Sequence, residues 1–155
     1  VIGLRSVPEI KARIAALRED AATAPISSGE VELIDAVLAV RETSPFALEQ
    51  LRDIAVDLPA IGAAVGRMQE RLDALDARGI PIGQLEFDAS YGRTLMEYYD
   101  GFVFGFYAAT RPDLPAVSSG GRYDALTRQL GQGAEIPAVG GVMRPGLILE
   151  LEAAT

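Results

Sequence analysis

Apolar residues recur every three or four positions through the first 80 residues, which is the spacing of amphipathic helices that bury one face. The clearest example is the stretch PAIGAAVGRMQERLDALDARG. Its apolar face carries Ile61, Val65, Met68, Leu72 and Leu75. Gly79 follows, at a position where a glycine commonly ends a helix. We expect this face to pack in a core, which explains its pattern without any functional role.

Serine residues mark three predicted helix starts. Ser6 and Ser27 are each followed three positions later by a glutamate, which is the spacing of a capping box. Ser44 stands directly before Pro45, and proline is favoured at the first helical position, so we expect Ser44 to be the N-cap. The sequence therefore predicts helices that begin beside these three serines.

The pattern changes to alternation after residue 83. QLEFDAS alternates apolar with polar residues, which predicts a half-buried strand. YYDGFVFGFYAAT places Phe102, Phe104 and Phe106 on one face, with Val103 and Tyr107 on the other, and we expect a strand covered on both faces. Two further strands are predicted in LPAVSSGG and IPAVGGVM, and two helices in YDALTRQLG and RPGLILELEAA.

Strands joined by short connections predict a mainly antiparallel sheet backed by helices, which is the α+β class. We expect a helical segment over residues 1–80 and the sheet over residues 81–155. The chain begins with VIGLRSVPEI rather than with methionine, and we expect it to be part of a longer protein.

The amino-acid composition limits the partners and the side-chain chemistry available to this chain. The 155 residues are 49% hydrophobic, which favours a folded chain over a disordered one. The net charge of −8 argues against a nucleic-acid partner, because such binding needs clustered Lys and Arg. Cys and His are absent, which excludes disulfides, thiolate chemistry and a histidine base from these residues. Since no apolar run is long enough to span a bilayer, we expect a cytoplasmic protein without a membrane partner. We also expect no metal, no cofactor and no catalytic residues.

Two segments combine glycine with aromatic and charged side chains, RTLMEYYDG and SGGRYD. Glycine lets a ligand approach the backbone closely, and a buried Tyr hydroxyl or Arg needs a hydrogen-bond partner. An amino acid would supply such partners, since an Arg binds its carboxylate, a carboxylate its ammonium and a Tyr a ring nitrogen. The alternative is structural: a glycine turn, a local Arg122–Asp124 pair and tyrosines in the core.

The stretches YYDGFVF, SGGRYDAL and PAVGGVM occur in the order and spacing of motifs in the histidyl-tRNA synthetase catalytic domain, and residues 93–150 resemble the C-terminal half of that domain. The family carries Arg-Gly-Leu-Asp-Tyr-Tyr-x-Gly, Gly-Gly-Arg-Tyr-Asp and Pro-Ala-Val-Gly-Phe-Ala-Leu-Gly-x-Glu-Arg. The resemblance implies a class II aminoacyl-tRNA synthetase-like antiparallel sheet flanked by helices. The helical residues 1–80 would lie between upstream motifs and this sheet, like an insertion.

The same resemblance implies a histidine-binding site. It places Tyr99 and Tyr123 at the histidine side-chain pocket, and the glycines of SGGRYD in the pocket wall. The full set of implied histidine-binding residues is Arg93, Glu97, Tyr98, Tyr99, Gly120, Gly121, Arg122 and Tyr123. Either Glu97 or Asp100 would meet the ammonium group of the ligand.

The chain departs from the family pattern at two arginines. The arginine of the first motif falls at Thr94, and Arg93 stands one residue earlier, where a strand would turn its side chain to the other face. The arginine that contacts ATP falls at Leu147, with Arg144 and Gly146 at the family's Gly and Glu positions. Without that guanidinium the phosphates of a nucleotide lose electrostatic stabilisation. We therefore expect no amino-acid activation.

A synthetase-like domain without a nucleotide site resembles the regulatory subunits of ATP phosphoribosyltransferase, the first enzyme of histidine biosynthesis. Those subunits bind a short-form catalytic subunit, and the complex is feedback-inhibited by histidine. The resemblance implies a non-catalytic regulatory role, a hetero-oligomer with that subunit, a histidine ligand and a homodimer formed through segments upstream of Val1. A fragment of an active histidyl-tRNA synthetase, and a pseudo-synthetase interaction domain that does not bind histidine, stay open as alternatives.

Overall fold

The computed structural model describes residues 5–91, 98–134 and 136–153. They form two compact units, one ending at Asp88 and the other beginning at Ala89. The helices are α1 (Val7–Ala22), α2 (Ser28–Ala39), α3 (Ser44–Asp57), α4 (Gly62–Asp76), α5 (Asp124–Leu130) and α6 (Pro145–Ala153), with 3-10 turns at Pro59–Ile61 and Ile82–Gln84. The strands are β1 (Arg41–Thr43), β2 (Glu86–Asp88), β3 (Val103–Phe106), β4 (Ser118–Arg122) and β5 (Val139–Met143). Helices combined with small antiparallel sheets confirm the α+β class.

Local capping signals start the first two helices, as the sequence predicts. Ser6 Oγ accepts a hydrogen bond from the Glu9 N–H at 3.4 Å. Ser27 forms a full capping box: its Oγ accepts from the Glu30 N–H at 3.2 Å, and the Glu30 carboxylate accepts from the Ser27 N–H at 2.9 Å. These bonds satisfy amide groups that have no partner within the helix. Within the described ranges, no helix is long and apolar enough to cross a membrane.

The core of the first unit lies where α3 packs against α4. The predicted apolar face of α4 is confirmed at its centre, where Val65, Met68 and Leu72 are buried. The buried apolar residues of α3 are Ala47, Leu48 and Leu51. After α4 the chain turns at Gly79, whose φ of +73° is a conformation that glycine adopts without steric cost. The predicted stop of this helix is therefore confirmed.

The start of α3 differs from the prediction by one residue. The N-cap is Thr43, which makes no side-chain cap hydrogen bond, and Ser44 is the first helical residue. The Ser44 N–H donates instead to the Leu85 carbonyl at 2.7 Å. That bond continues the antiparallel pairing of β1 with β2, in which Thr43 lies opposite Glu86. The pairing of these two strands therefore provides the Ser44 amide with a partner, and Ser44 begins the helix instead of capping it.

Three antiparallel strands form the sheet of the second unit, in the order β3–β4–β5. The rings of Phe102, Phe104 and Phe106 lie on one face, as predicted, with successive centroids 6.3 and 5.6 Å apart. The expectation that β3 is covered on both faces is wrong at its end, because Phe106 is 59% exposed. The side of the sheet with these rings is called the phenylalanine face below.

The opposite side of this sheet carries mostly small residues. Alternation along the strands places Gly105, Ser119, Gly121, Gly140 and Val142 on this side. The register sets Gly121 opposite Gly140, and Ser119 opposite Val142. We call this surface the glycine face.

Candidate functional site

Three tyrosine rings meet over one end of the glycine face. The centroids of Tyr98 and Tyr99 lie 4.8 Å apart, those of Tyr98 and Tyr123 5.5 Å, and those of Tyr99 and Tyr123 6.2 Å. Aromatic pairs at such separations attract each other when they are tilted or perpendicular, as these are. The rings border a cavity of about 220 Å³. Its other lining residues are Gly140, Gly141 and Val142.

Two of the tyrosines lie so close to the sheet that only glycine fits beneath them. A Cβ atom on Gly121 would lie 2.8 Å from Cδ1 of Tyr99, and one on Gly140 would lie 2.8 Å from Oη of Tyr123. Real Cβ atoms essentially never make such short contacts. The absence of side chains at these two positions therefore shapes the cavity floor.

The hydroxyl groups of the cluster provide hydrogen-bonding capacity without charge. Burial, followed by a hydrogen bond with Tyr98, raises the pKa of Tyr99, so this phenol stays protonated at neutral pH. Within the ranges that the structure describes, no residue forms a hydrogen bond with the Tyr123 hydroxyl, which lies over Gly140 beside the cavity. A phenol can both donate and accept, so a polar ligand in the cavity would find both capacities at Tyr123.

Two aspartates hold the turn that carries Tyr123. Asp100 accepts hydrogen bonds from the first two N–H groups of α5, that of Asp124 lying at 3.1 Å. Asp124 in turn accepts from the Ala138 N–H at 2.8 Å and from Arg122 Nε at 2.7 Å. Both carboxylates thus position the start of α5 and the strand that follows it. The Asp100 carboxylate is engaged with backbone amides, and its contact with a ligand ammonium stays a prediction.

Asp124 makes the stability of the second unit depend on pH. The hydrogen bond from Ala138, followed by that from Arg122, lowers the pKa of Asp124 below its ordinary value. A carboxyl group with a lowered folded-state pKa stabilises the fold fully above its unfolded-state pKa of about 3.9, and this contribution is lost as the pH falls through the folded-state pKa. We expect Asp124→Asn to lower the thermal unfolding midpoint at neutral pH, and the difference from wild type to shrink below about pH 4.

Near-ultraviolet circular dichroism is the suitable probe for this prediction, because all five tyrosines lie in the second unit. Asp53→Asn, an exposed position on α3, serves as the control for the loss of one negative charge. A difference between wild type and Asp124→Asn that stays constant from neutral to acidic pH would show that the carboxylate is not the stabilising group.

Four of the predicted site residues come together. Tyr98, Tyr99 and Tyr123 line the cavity, and Gly121 lies directly beneath Tyr99. The structure adds Gly140, Gly141 and Val142 of β5, which the sequence predicted only as part of a strand and a motif. The signal that could have found it is the pair of adjacent glycines in that strand, since glycine inside a strand often marks a close approach.

The other predicted site residues do not line the cavity. Gly120 and Arg122 lie on the phenylalanine face, because they alternate with Gly121 along β4. The local Arg122–Asp124 pair that the structural alternative predicts is present, with Nε and Oδ2 2.7 Å apart. Arg93 and Glu97 lie outside the described residues.

The fold and the site define an α+β protein with an aromatic-lined cavity on an antiparallel sheet. The family model described as Histidyl-tRNA synthetase matches residues 9–146. Because this match spans most of the sequence, the chain belongs to the histidyl-tRNA synthetase family.

Within that family the chain is similar to proteins named ATP phosphoribosyltransferase regulatory subunit. Those of Brucella ovis and Brucella abortus are each 34% identical to it over 124 residues, which is 79% of this chain. The aligned stretch is 33% of the first relative and 32% of the second. The chain therefore spans about a third of the length of the curated relatives it matches.

Proposed function

We propose that this chain is part of a non-catalytic regulatory subunit of ATP phosphoribosyltransferase, which acts in the first step of histidine biosynthesis. The observation that carries the proposal is the 34% identity, over 79% of the chain, to proteins of that name. Its partner is the short-form catalytic subunit, in a cytoplasmic hetero-oligomer. The sheet belongs to a class II synthetase-like fold, and a homodimer forms through the N-terminal part of the complete protein.

The residues near the position of the family's ATP-contacting arginine support a non-catalytic role. Leu147, at the position of the family's ATP-contacting arginine, lies in the first turn of α6, where its N–H donates to the Arg144 carbonyl at 3.1 Å. A leucine side chain offers a phosphate no charge and no hydrogen bond. The Arg144 guanidinium donates to the Ala116 carbonyl at 2.7 Å, which ties the end of β5 to the segment before β4.

Histidine is the ligand that suits the tyrosine cavity best. An imidazole can stack against the three rings, and its nitrogens can exchange hydrogen bonds with the Tyr123 hydroxyl. The cavity volume of about 220 Å³ lies below the ~300–1,000 Å³ typical of sites for drug-sized ligands, which favours a small ligand. Bound histidine changes the activity of a complex only if it binds one conformational state better than another.

Reconstitution with a short-form catalytic subunit tests the regulatory role. We expect the two chains to co-elute in size-exclusion chromatography, and L-histidine to lower the phosphoribosyl-transfer activity of the complex. Failure of the chains to associate at micromolar concentrations would overturn the proposed partner. Association combined with activity that is insensitive to histidine would overturn the sensing role alone.

The description of the matching family favours one second candidate, a histidyl-tRNA synthetase that activates histidine. ATP–pyrophosphate exchange that depends on histidine separates the two functions, because only a synthetase forms the adenylate. Since Leu147 replaces the charged contact to ATP, we expect no exchange above background. Measurable exchange would replace the regulatory proposal with the catalytic one.

Tyr123→Phe is expected to weaken histidine binding by about 1–3 kcal/mol, the cost of leaving a buried polar group of the ligand without a partner. The stability of the fold should change little, because within the described residues nothing forms a hydrogen bond with this hydroxyl. Isothermal titration calorimetry measures the first effect and thermal unfolding the second. Tyr107→Phe is the matched control, since Tyr107 is 57% exposed and does not line the cavity. An unchanged affinity in Tyr123→Phe would remove Tyr123 from the site.

A further inference from the structure

A second polar cluster lies on the glycine face, one row of the ladder away from the tyrosine cavity. Both Nη1 and Nη2 of Arg144 lie 3.4 Å from Ser119 Oγ. Ser119 is directly opposite Val142, which lines the cavity. Directly opposed residues in an antiparallel pair have Cβ atoms about 4.5–5.5 Å apart. The guanidinium therefore lies within about one side-chain length of the cavity wall.

Arg144 has only neutral partners in the part of the chain that the structure describes. Its guanidinium donates to the Ala116 carbonyl and to the Ser119 hydroxyl. By contrast, Arg111 and Arg122 in the same unit each form an ion pair with an aspartate 2.7 Å away. A guanidinium has five N–H donors, and it binds a carboxylate through two of them in parallel. The half-buried Arg144 side chain is therefore able to bind an anionic group.

Among the described residues, uncharged groups surround Arg144 on this face. Gly105 lies opposite Ser119, and the Tyr91 hydroxyl lies directly over it, where a Cβ atom would overlap that oxygen. Beyond it the hydroxyl groups of Tyr91 and Tyr107 lie 3.3 Å apart. Burial, followed by the hydrogen bond with Tyr107, raises the pKa of Tyr91 to about 12, so this phenol is uncharged at neutral pH. The Arg144 guanidinium lies close enough to this uncharged phenol to interact with it electrostatically.

We propose that Arg144, supported by Ser119, binds the carboxylate of an amino acid whose side chain occupies the tyrosine cavity. The inference rests on the histidine site of the proposed function. Gly140 and Val142 are two residues apart along β5, a separation of about 7 Å in a strand. Histidine has two carbon atoms between its ring and its carboxylate, so a ring held over Gly140 brings the carboxylate to the row of Val142 and Ser119.

Calorimetry with two ligands distinguishes carboxylate binding by Arg144 from a purely structural role of this residue. L-Histidine carries the carboxylate, and histamine lacks it. We expect Arg144→Gln to weaken histidine binding about tenfold or more, since a hydrogen bond to a charged group is lost, and to leave histamine binding unchanged. Arg128→Gln, an exposed arginine of α5, removes the same charge and should alter neither affinity. An equal loss for both ligands, or no loss for either, would overturn the assignment.

A measurement on the wild-type chain covers the case in which Arg144→Gln does not fold. Phenylglyoxal modifies accessible arginines, and peptide mass spectrometry reports each site. We expect histidine, but not histamine, to protect Arg144, while Arg128 is modified equally under all conditions. Equal modification of Arg144 with both ligands would overturn the inference and leave the histidine site intact. Binding of neither ligand to the wild type would overturn the histidine site itself, and the carboxylate assignment with it.

Discussion

Replacing Gly120 by alanine is expected to disrupt the three-stranded sheet of the second unit. A Cβ atom at this position would overlap the Gly140 carbonyl oxygen and would lie 2.7 Å from Gly141 Cα and 2.6 Å from Phe104 Cζ. The phenylalanine ring can rotate, but the two backbone atoms can move only if β4 and β5 separate. Overpacking in a well-packed region costs about 1–3 kcal/mol, and we expect a value at or above the upper end because backbone has to shift.

Tyrosine signals in near-ultraviolet circular dichroism during urea unfolding would measure this loss, because every tyrosine of the chain lies in the second unit. Gly146→Ala is the matched control in the same unit. A Cβ atom there meets no atom within 4 Å, and alanine is the better helix former in α6. An unfolding midpoint of Gly120→Ala that equals that of the wild type would contradict the close pairing of β4 with β5.

Leu72→Ala is expected to cost about 2–5 kcal/mol of unfolding free energy in the first unit, the range measured when a buried leucine is truncated in a core. Leu72 is 4% exposed and lies in the centre of the α4 face, beside the equally buried Met68. The α3–α4 contact forms the core of this unit, and Leu72 is one of its buried residues. The cost follows from lost apolar burial together with the unfilled space.

Urea unfolding followed by far-ultraviolet circular dichroism measures this prediction, since α1 to α4 all belong to the first unit. Val56→Ala is the control on the same helix pair. Val56 is 77% exposed, and surface substitutions of this kind usually change stability by no more than about 0.5 kcal/mol. If Leu72→Ala and Val56→Ala shift the unfolding curve equally, then α4 does not pack its predicted face in a core.

Helix starts and helix faces could be predicted because they depend on neighbours in the sequence. The capping box at Ser27 needs only Glu30 three residues later, and both hydrogen bonds are present. The stripe through Val65 and Leu72 follows from the 3.6-residue period alone. At Ser44 the same type of local argument was wrong by one residue, because its N–H is taken by Leu85 on another strand.

The candidate site could be predicted in part, for a related reason. Tyr98, Tyr99 and Tyr123 were expected at one site because their motifs occur together in a known family, and their rings do meet. The contribution of Gly140 was missed, because its position beneath Tyr123 depends on the register of β4 against β5. The same register places Gly121 opposite Gly140, on the cavity side.

The sequence by itself determined the helices of the first part but not β1 among them. It also determined the strands β2 to β5, the family to which the chain belongs and the tyrosine and glycine residues that its motifs share. These features depend on periodicity and on short-range signals. The tertiary structure alone decided which residues of neighbouring strands lie opposite one another, and so brought Val142 to the cavity and Arg144 to Ser119. The physical reason is that pairing between strands is set by contacts between distant residues, and a change of register by one residue exchanges the two faces.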